Sequence, residues 1–328
     1  MTPDIGEIVI PPLKYGPSSE EAASKLLMRC NPHRLRKYHV DAPLSASALS
    51  HVIQLPRLES LWLAAVNSSL CFPDPLPNVV FPSLRTLDVE SDGDLAWLKL
   101  LPESPVLSEF YVGCTGPVEQ FMETFQSTAA GCGIHKRLRK FTLRNGEGFT
   151  ITPQIIAWNL LFENLTFLQL LSDCSTTCQT EDLTDKDIDL LTNAMPGLTY
   201  LAIGQQPCSV PSKMTFKSLC NISRRCTQLT SLQIHFNPNS FVQKVNDSED
   251  GGFETPSSVL CSVTKINVGG IAMPNQSEVS TIMAFGLLGV FPRLKKVEYH
   301  DDAWKKVKDM VIWIRRTHTA VVKIVEAE

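Results

Sequence analysis

The 328-residue chain lacks several features that would assign it to a class at once. Its start, MTPDIGEIVIPPLKYG, has no basic segment followed by an apolar one, so no secretory signal is expected and a reducing compartment, cytoplasm or nucleus, is. It has no long hydrophobic run. The longest apolar stretch near the C-terminus, Ile282 to Phe291, is about half of the roughly 20 residues that a membrane span needs, so no span is expected. It has no excess of either charge: 30 Lys+Arg stand against 34 Asp+Glu, a net charge of −4. That balance offers no overall attraction to nucleic acid phosphates or an anionic membrane, and neither is expected as a partner. With 43% hydrophobic and 20% charged residues the chain is too apolar for a disordered tail and too mixed for a membrane protein.

Catalytic signatures are missing too. There is no nucleophile elbow and no kinase signature. Gly146-Glu147-Gly148 lacks the third glycine of a dinucleotide fingerprint, and Gly286 to Gly289 lacks the lysine of a phosphate loop. The expectation is a protein that is not an enzyme and takes no cofactor. The ten cysteines show no dense regular pairing and read as small buried apolar residues. Cys174 and Cys178 form one short-spaced pair, but a structural zinc site wants four ligands and no second pair lies nearby. Cys30, His33 and His39 lack a second ligand pair, so no metal site is expected. Five glycosylation-like triplets, starting at Asn67, Asn164, Asn221, Asn246 and Asn275, matter only in a secreted protein and read as chance matches.

What the chain does have is a repeat. The pattern L-x-x-L-x-L recurs in LRKYHV from Leu35, LESLWL from Leu58, LRTLDV from Leu84, LSEFYV from Leu107, LRKFTL from Leu138, LTFLQL from Leu165, LTYLAI from Leu198, LTSLQI from Leu229, VTKINV from Val263 and LKKVEY from Leu294. Successive intervals run from 23 to 34 residues, the range of solenoid repeats. Proline-bearing groups precede several hits, as in LPR before Leu58, FPS before Leu84, MPG before Leu198 and FPR before Leu294. They end a helix, and the alternation that follows reads as a short strand.

Helical signals lie between the strands. Thr152 and Pro153 supply an N-cap and first helical residue ahead of Ile155, Ile156, Leu160 and Leu161. Thr184 with Asp187 resembles a capping box before Ile188, Leu191 and Met195, and Thr215 opens a helix through Phe216, Leu219, Ile222 and Cys226. One strand and one helix cannot bury their own apolar face and must stack on neighbours. A parallel β-helix enzyme, the nearest catalytic solenoid, is mostly strand, and the helical caps argue against it.

These units resemble leucine-rich repeat proteins over roughly Cys30 to Arg316. TDKDIDLLTNAMPGLTYLAIG and TFKSLCNISRRCTQLTSLQIHF are most similar to the degenerate repeats of fungal F-box/leucine-rich-repeat proteins. The resemblance implies an α/β leucine-rich repeat solenoid, a horseshoe with a parallel β-sheet on the concave face and helices on the convex face. It also implies the substrate-recognition part of a ubiquitin ligase receptor, which docks through its F-box on a Skp-type adaptor of a cullin ligase. Residues 1–29 contain a strand at Ile8 to Ile10 and a short helix from Ser19, but neither the length nor the pattern of an F-box, so the box is expected to be lost or truncated. The alternative is a stand-alone repeat scaffold or inhibitor unconnected to ubiquitin.

Strand side chains alternate, so the residue between the second and third aliphatic positions points away from the core. That column reads His39, Trp62, Asp88, Tyr111, Thr142, Gln169, Ala202, Gln233, Asn267 and Glu298. The column before it adds Phe167 and Tyr200, and the column after it adds Asp41, Glu90, Arg144, His235 and His300. Water-facing aromatics are enriched in binding hot spots. The candidate partner site is therefore Trp62, Tyr111, Phe167 and Tyr200, with Gln169 beside them and Asp88, Glu90, Lys140 and Arg144 supplying charge and register. The basic residues Arg36, Lys37, Arg139, Lys140, Lys295 and Lys296 fall in no single column and read as solvated strand edges, not a nucleic-acid groove.

Three segments complete the expectation: residues 1–29 as an N-terminal cap or remnant, 30–316 as one continuous solenoid of about ten repeats, and 317–328 as a tail. The polar stretch from Pro238 to Pro256 reads as disordered, and its Asp247, Glu249 and Asp250 lack calcium-loop spacing. Trp304, Val307, Val311 and Ile314 share one face of a terminal helix that closes the open end of the array.

Overall fold

A computed structural model describes residues 6–10, 17–40, 42–66, 81–91, 98, 104–115, 117–146, 149–172, 180, 182–204, 212–241, 261–268, 277–299 and 302–325. The chain forms two compact units, residues 1–147 with 161–165 and residues 148–160 with 166–328. In the first lie β1 (Glu7–Ile10), α1 (Pro17–Arg29), β2 (Lys37–Val40), α2 (Ala46–Val52), β3 (Ser60–Val66), β4 (Thr86–Ser91), β5 (Glu109–Cys114), α3 (Val118–Cys132) and β6 (Lys140–Asn145). In the second lie α4 (Pro153–Asn159), β7 (Phe167–Ser172), α5 (Asp185–Ala194), β8 (Tyr200–Ile203), α6 (Phe216–Arg225), β9 (Ser231–Ile234), β10 (Lys265–Asn267), α7 (Ser277–Val290), β11 (Lys296–Glu298) and α8 (Ala303–Val325). Within each unit the strands stand in chain order and pair in parallel. This is the α/β leucine-rich repeat architecture, with helices between parallel strands. No helix among the described residues is long and apolar enough to cross a membrane.

The leucine pattern builds the core directly. All ten first positions, Leu35, Leu58, Leu84, Leu107, Leu138, Leu165, Leu198, Leu229, Val263 and Leu294, are 0% exposed. The second positions, from Tyr38 and Leu61 to Ile266 and Val297, are buried as well. Each such aliphatic side chain contributes about 1.5–3 kcal/mol by leaving water. Because neighbouring strands within each unit pair in register, the buried positions of one repeat lie against those of the next, which is how a repeat too small for its own core acquires one.

Helix starts follow the local signals. Thr152 accepts the Ile155 N–H at 3.4 Å with Pro153 at the first helical position. The Asp187 carboxylate accepts the Thr184 backbone N–H at 2.8 Å and the Thr184 hydroxyl at 2.6 Å. Thr215 accepts the Lys217 N–H at 3.1 Å, and the same threonine is held from the preceding helix. Asp185 of α5 accepts its backbone N–H at 2.7 Å and its hydroxyl at 2.6 Å, and also takes the Ser218 hydroxyl at 2.5 Å. One carboxylate thus joins two successive helices at their N-terminal ends, where negative charge is favoured.

Phenylalanines fill the first unit between strands and helix. Phe125 of α3 has ring centroids 5.1 Å from Phe110, 5.7 Å from Phe121, 5.3 Å from Phe141 and 5.4 Å from Phe162. In the second unit Phe216 stacks on Phe241 at 4.0 Å, and a Cβ on Gly286 would fall 2.6 Å from the Phe241 ring. With that ring buried, glycine is what lets α7 approach so closely.

The structure differs from the expectation in four respects. The described residues hold eleven strands, because β1 pairs with β2 from Glu7↔Lys37 to Ile10↔Val40. Glu7–Ile10 and Pro17–Arg29 therefore supply a strand and a helix of repeat type, with Leu27 buried and the Tyr38 hydroxyl donating to Ala23 O at 3.1 Å. The chain clusters into two units where one continuous domain is expected, since a repeat array has nearest-neighbour contacts and no global core. Finally α8 runs without a break past Arg316 to Val325; Trp304, Val307 and Val311 are buried in it, whereas Ile314 is half-buried. Cys174, Cys178, Asp41, His300 and all but the first four residues of the Pro238–Pro256 stretch lie outside the described residues.

Truncating the hub of the aromatic cluster removes four ring contacts and leaves a cavity. Phe125→Ala is expected to lower stability by about 3–5 kcal/mol and Phe125→Leu by clearly less, read from urea unfolding followed by circular dichroism.

Candidate functional site

The face of each strand row opposite the core carries the candidate residues. In the first unit the register aligns His39↔Trp62, Trp62↔Asp88, Asp88↔Tyr111 and Tyr111↔Thr142. Val9 extends this column onto β1 and is 64% exposed. Trp62, Asp88 and Tyr111 are half-buried, and Glu90 and Arg144 are exposed. In the second unit the same column reads Gln169↔Ala202, Ala202↔Gln233, Gln233↔Asn267 and Asn267↔Glu298. Thr142 and Ala202 are buried in spite of their place in it, being short side chains. His235, in the column after the third aliphatic position, is also buried, and the expectation that it faces water does not hold.

The candidate residues fall in both units. Trp62, Asp88, Glu90, Tyr111, Lys140 and Arg144 belong to the first unit, and Phe167, Gln169 and Tyr200 to the second. Phe167 and Tyr200 are register partners on β7 and β8, stacked with centroids 4.2 Å apart and planes 6° apart. That pair is closed on itself and presents a single aromatic surface. Trp62 and Tyr111 are different, since β4 and its Asp88 lie between their strands.

Charges on the face are partly used within the chain. Lys140 pairs with its register partner Glu109 at 2.8 Å, and Tyr111 donates to the same carboxylate at 3.3 Å. Lys140 is therefore already neutralised. Arg36 pairs with Glu59, Lys37 with Glu7, and Lys296 with Glu298, while Arg139 donates to Asn164 O at 3.2 Å. Exposed pairs of this kind contribute little stability, but they do consume the cations of the strand edges. His39 lies beside Trp62 with Nε2 2.8 Å from Ser60 Oγ, and burial holds its pKa below the usual histidine range.

Asp88 has the most unusual environment. It has no hydrogen bond or ion pair within the described structure. Burial, then repulsion from Glu90, pushes its carboxyl up to about 6, against attraction from Arg144. The Glu90 carboxylate lies over its register partner Gly113 on β5, in space that a Cβ there would occupy. Burial, the Glu109 charge and the bond to Glu109 push the Tyr111 phenol up to about 12. Among the described residues no cluster of His, Cys, Asp and Glu could hold a metal ion. The described cysteines are free thiols, and burial pushes Cys114 up to about 11 and Cys226 up to about 12, far from the range of a reactive thiolate at neutral pH.

Sequence reasoning missed Glu109, whose carboxylate organises Lys140 and Tyr111, and Gly113, which makes room for Glu90. Both lie in SEFYVG, and alternation alone puts Glu109 on the same face as Tyr111.

No protein-family model and no curated protein sequence matches this chain. Among solved structures it is similar to a chain in a crystal structure of the Rad7 and Elc1 complex in yeast, with a TM-score of 0.29 and 14% identity, covering 87% of this chain and 83% of that one.

The raised Asp88 carboxyl has a stability consequence of definite sign. Its folded pKa of about 6 exceeds the ordinary 3.8, so its contribution is fully present below about pH 4 and is lost as pH rises through about 6. Asp88→Asn is therefore expected to stabilise the protein at pH 7.5 by about 1–2 kcal/mol, after discounting the two-unit shift for partial solvent screening, and to have no such effect near pH 4. Urea midpoints at the two pH values check this, and a carboxyl NMR titration of Asp88 should inflect near pH 6.

Proposed function

We propose that this chain is a non-enzymatic protein-interaction module that binds its partner on the strand face, and that it serves as the substrate-recognition part of an F-box-type ubiquitin ligase receptor. The observation that supports the binding role is the set of aromatic side chains on strand positions facing away from the core: half-buried Trp62 and Tyr111 in the first unit and the stacked Phe167–Tyr200 pair in the second. None of these rings fills the core, and large aromatics of that kind anchor interfaces. Asp88, Glu90 and Arg144 supply charges that orient a partner segment laid across the parallel strands. The ligase role rests on the likeness of the repeat units to those of F-box/leucine-rich-repeat proteins, and the expected further partners are a Skp-type adaptor and a cullin.

A second reading, a stand-alone repeat scaffold or inhibitor, is favoured by one observation. Glu7–Ile10 form a strand paired with β2 and Pro17–Arg29 a helix packed by Leu27, so these residues are used as a repeat unit, as a plain repeat scaffold would use them.

Affinity capture of the intact chain from its own cells, with adaptor and cullin quantified against a control without bait, separates the two readings. Their enrichment is expected for a ligase receptor, whereas a retained partner without either supports the scaffold. Replacing Trp62, Tyr111, Phe167 and Tyr200 together by Ala is expected to weaken partner retention about tenfold or more while costing about 1 kcal/mol or less of stability per site. Unchanged retention in that variant refutes the choice of face.

A further inference from the structure

We propose that Trp62, Asp88 and Tyr111 form a receptor for an arginine side chain of the bound protein, the guanidinium lying between the two rings and against the Asp88 carboxylate. This deepens the docking role proposed above and rests on it. The three residues are direct register partners on β3, β4 and β5. Adjacent strands are about 4.8 Å apart, which puts the two aromatic positions about 9.6 Å apart with the acid midway. A cation between them therefore lies about 5 Å from each ring position, inside the roughly 6 Å over which a ring face attracts a cation.

The contrast with the second unit is informative. Phe167 and Tyr200 occupy adjacent strands and close on each other at 4.2 Å, leaving no gap. Trp62 and Tyr111 are held apart by the strand between them, and what occupies that strand's position is a half-buried carboxylate with no hydrogen bond. The Tyr111 hydroxyl does not serve Asp88, since it donates to Glu109. Neither does Lys140, which Glu109 holds at 2.8 Å. A half-buried carboxylate that Arg144 attracts but no group hydrogen-bonds is costly unless a ligand completes it. Arginine fits better than lysine because its planar fork stacks on rings and donates two parallel hydrogen bonds to a carboxylate, and it keeps its charge when partly buried.

Acidity should modulate the site. The groups near Asp88 are Glu90 on its own strand, Glu109 and Tyr111 on β5, and Lys140 and Arg144 on β6; β3 contributes Ser60 and Trp62, neither of which titrates near neutrality. With burial and Glu90 raising the Asp88 carboxyl, protons compete with a guanidinium as pH falls below about 6, so binding weakens on acidification.

The test titrates the full chain with N-acetyl-arginine amide, N-acetyl-lysine amide and the uncharged isostere N-acetyl-citrulline amide. The readout is the Trp62 indole cross-peak, identified as the one missing from Trp62→Phe. Arginine amide is expected to shift that peak saturably, lysine amide to bind several-fold more weakly, and citrulline amide about tenfold or more weakly. Asp88→Asn, which keeps the side chain's shape, is expected to lose about tenfold in affinity for arginine amide and to lose the weakening between pH 7.5 and pH 5. Tyr111→Leu, which removes the ring, should bind about three- to tenfold more weakly. Equal shifts from arginine and citrulline amides, equal or tighter binding of lysine amide, or unaltered affinity in Asp88→Asn would each overturn the proposal. Saturable arginine selectivity together with unchanged protein capture by the four-alanine variant sinks the docking role and leaves the arginine receptor standing. Lost capture without arginine selectivity does the reverse.

Discussion

One recurring backbone carbonyl sets the geometry of the strands. Apart from Gly6, it belongs to the residue after the first leucine position, and it accepts two N–H groups from the following repeat. Gly6 O takes Arg36 and Lys37, Arg36 O takes Glu59 and Ser60, Glu59 O takes Arg85 and Thr86, Arg85 O takes Ser108 and Glu109, and Ser108 O takes Arg139 and Lys140. In the second unit Thr166 O takes Thr199 and Tyr200, and the series continues through Thr199, Thr230 and Thr264. The two donors are always the last residue before a strand and the first residue in it. Each strand is thus indexed to its predecessor before its own ladder begins, whatever the length of the intervening loop. A one-residue slip would exchange the core face for the water face, and this fork is placed where such a slip would have to start.

Fixed indexing explains why the interval can drift between repeats while the columns stay true. Connections of different length add or remove residues outside the strands, at small entropic cost. Second and third aliphatic positions keep facing inward, and the residues between them keep facing out. In the second unit the fork is reinforced by side chains, as Thr199, Thr230 and Thr264 each donate a hydroxyl to the carbonyl that already receives their N–H, at 2.9, 3.0 and 3.3 Å. In the first unit Ser108 does the same at 3.4 Å, whereas Arg36, Glu59 and Arg85 have no hydroxyl to give there and Arg36 pairs with Glu59 at 3.4 Å.

Much of this was legible in the sequence, because the leucine positions report burial and burial reports the fold. All ten pattern hits became strands, and the Thr152, Thr184 and Thr215 caps formed. What escaped has physical reasons. β1 was only half read, since Glu7–Ile10 alternates like a strand yet lacks the leading leucine that marks a repeat. The threonines of LTFL, LTYL, LTSL and VTKI stand in plain sight, but their role depends on a backbone fork that hydropathy does not encode. Pairs such as Lys140 with Glu109 link residues on different strands, 31 positions apart, and become visible only once the register is known. The division of the aromatics into an open row and a closed stack turns on one column's displacement, which the leucine pattern contains but does not weigh.

Stability is therefore carried by one face of the strands, and the proposed recognition falls to the other. The core face holds the leucine ladder and the Phe125 cluster, whose rings are buried. The other face holds side chains that can be exchanged without opening a cavity. Asp88 is the instructive exception, because a half-buried carboxylate raised toward 6 lowers the stability of the native state at neutral pH, the attraction of Arg144 offsetting only part of the cost. Asparagine of the same shape would avoid that cost, as would any neutral residue of similar size. A group that destabilises its own fold, at the centre of an aromatic row, suits the binding role proposed for this face, in which the missing interaction is supplied from outside.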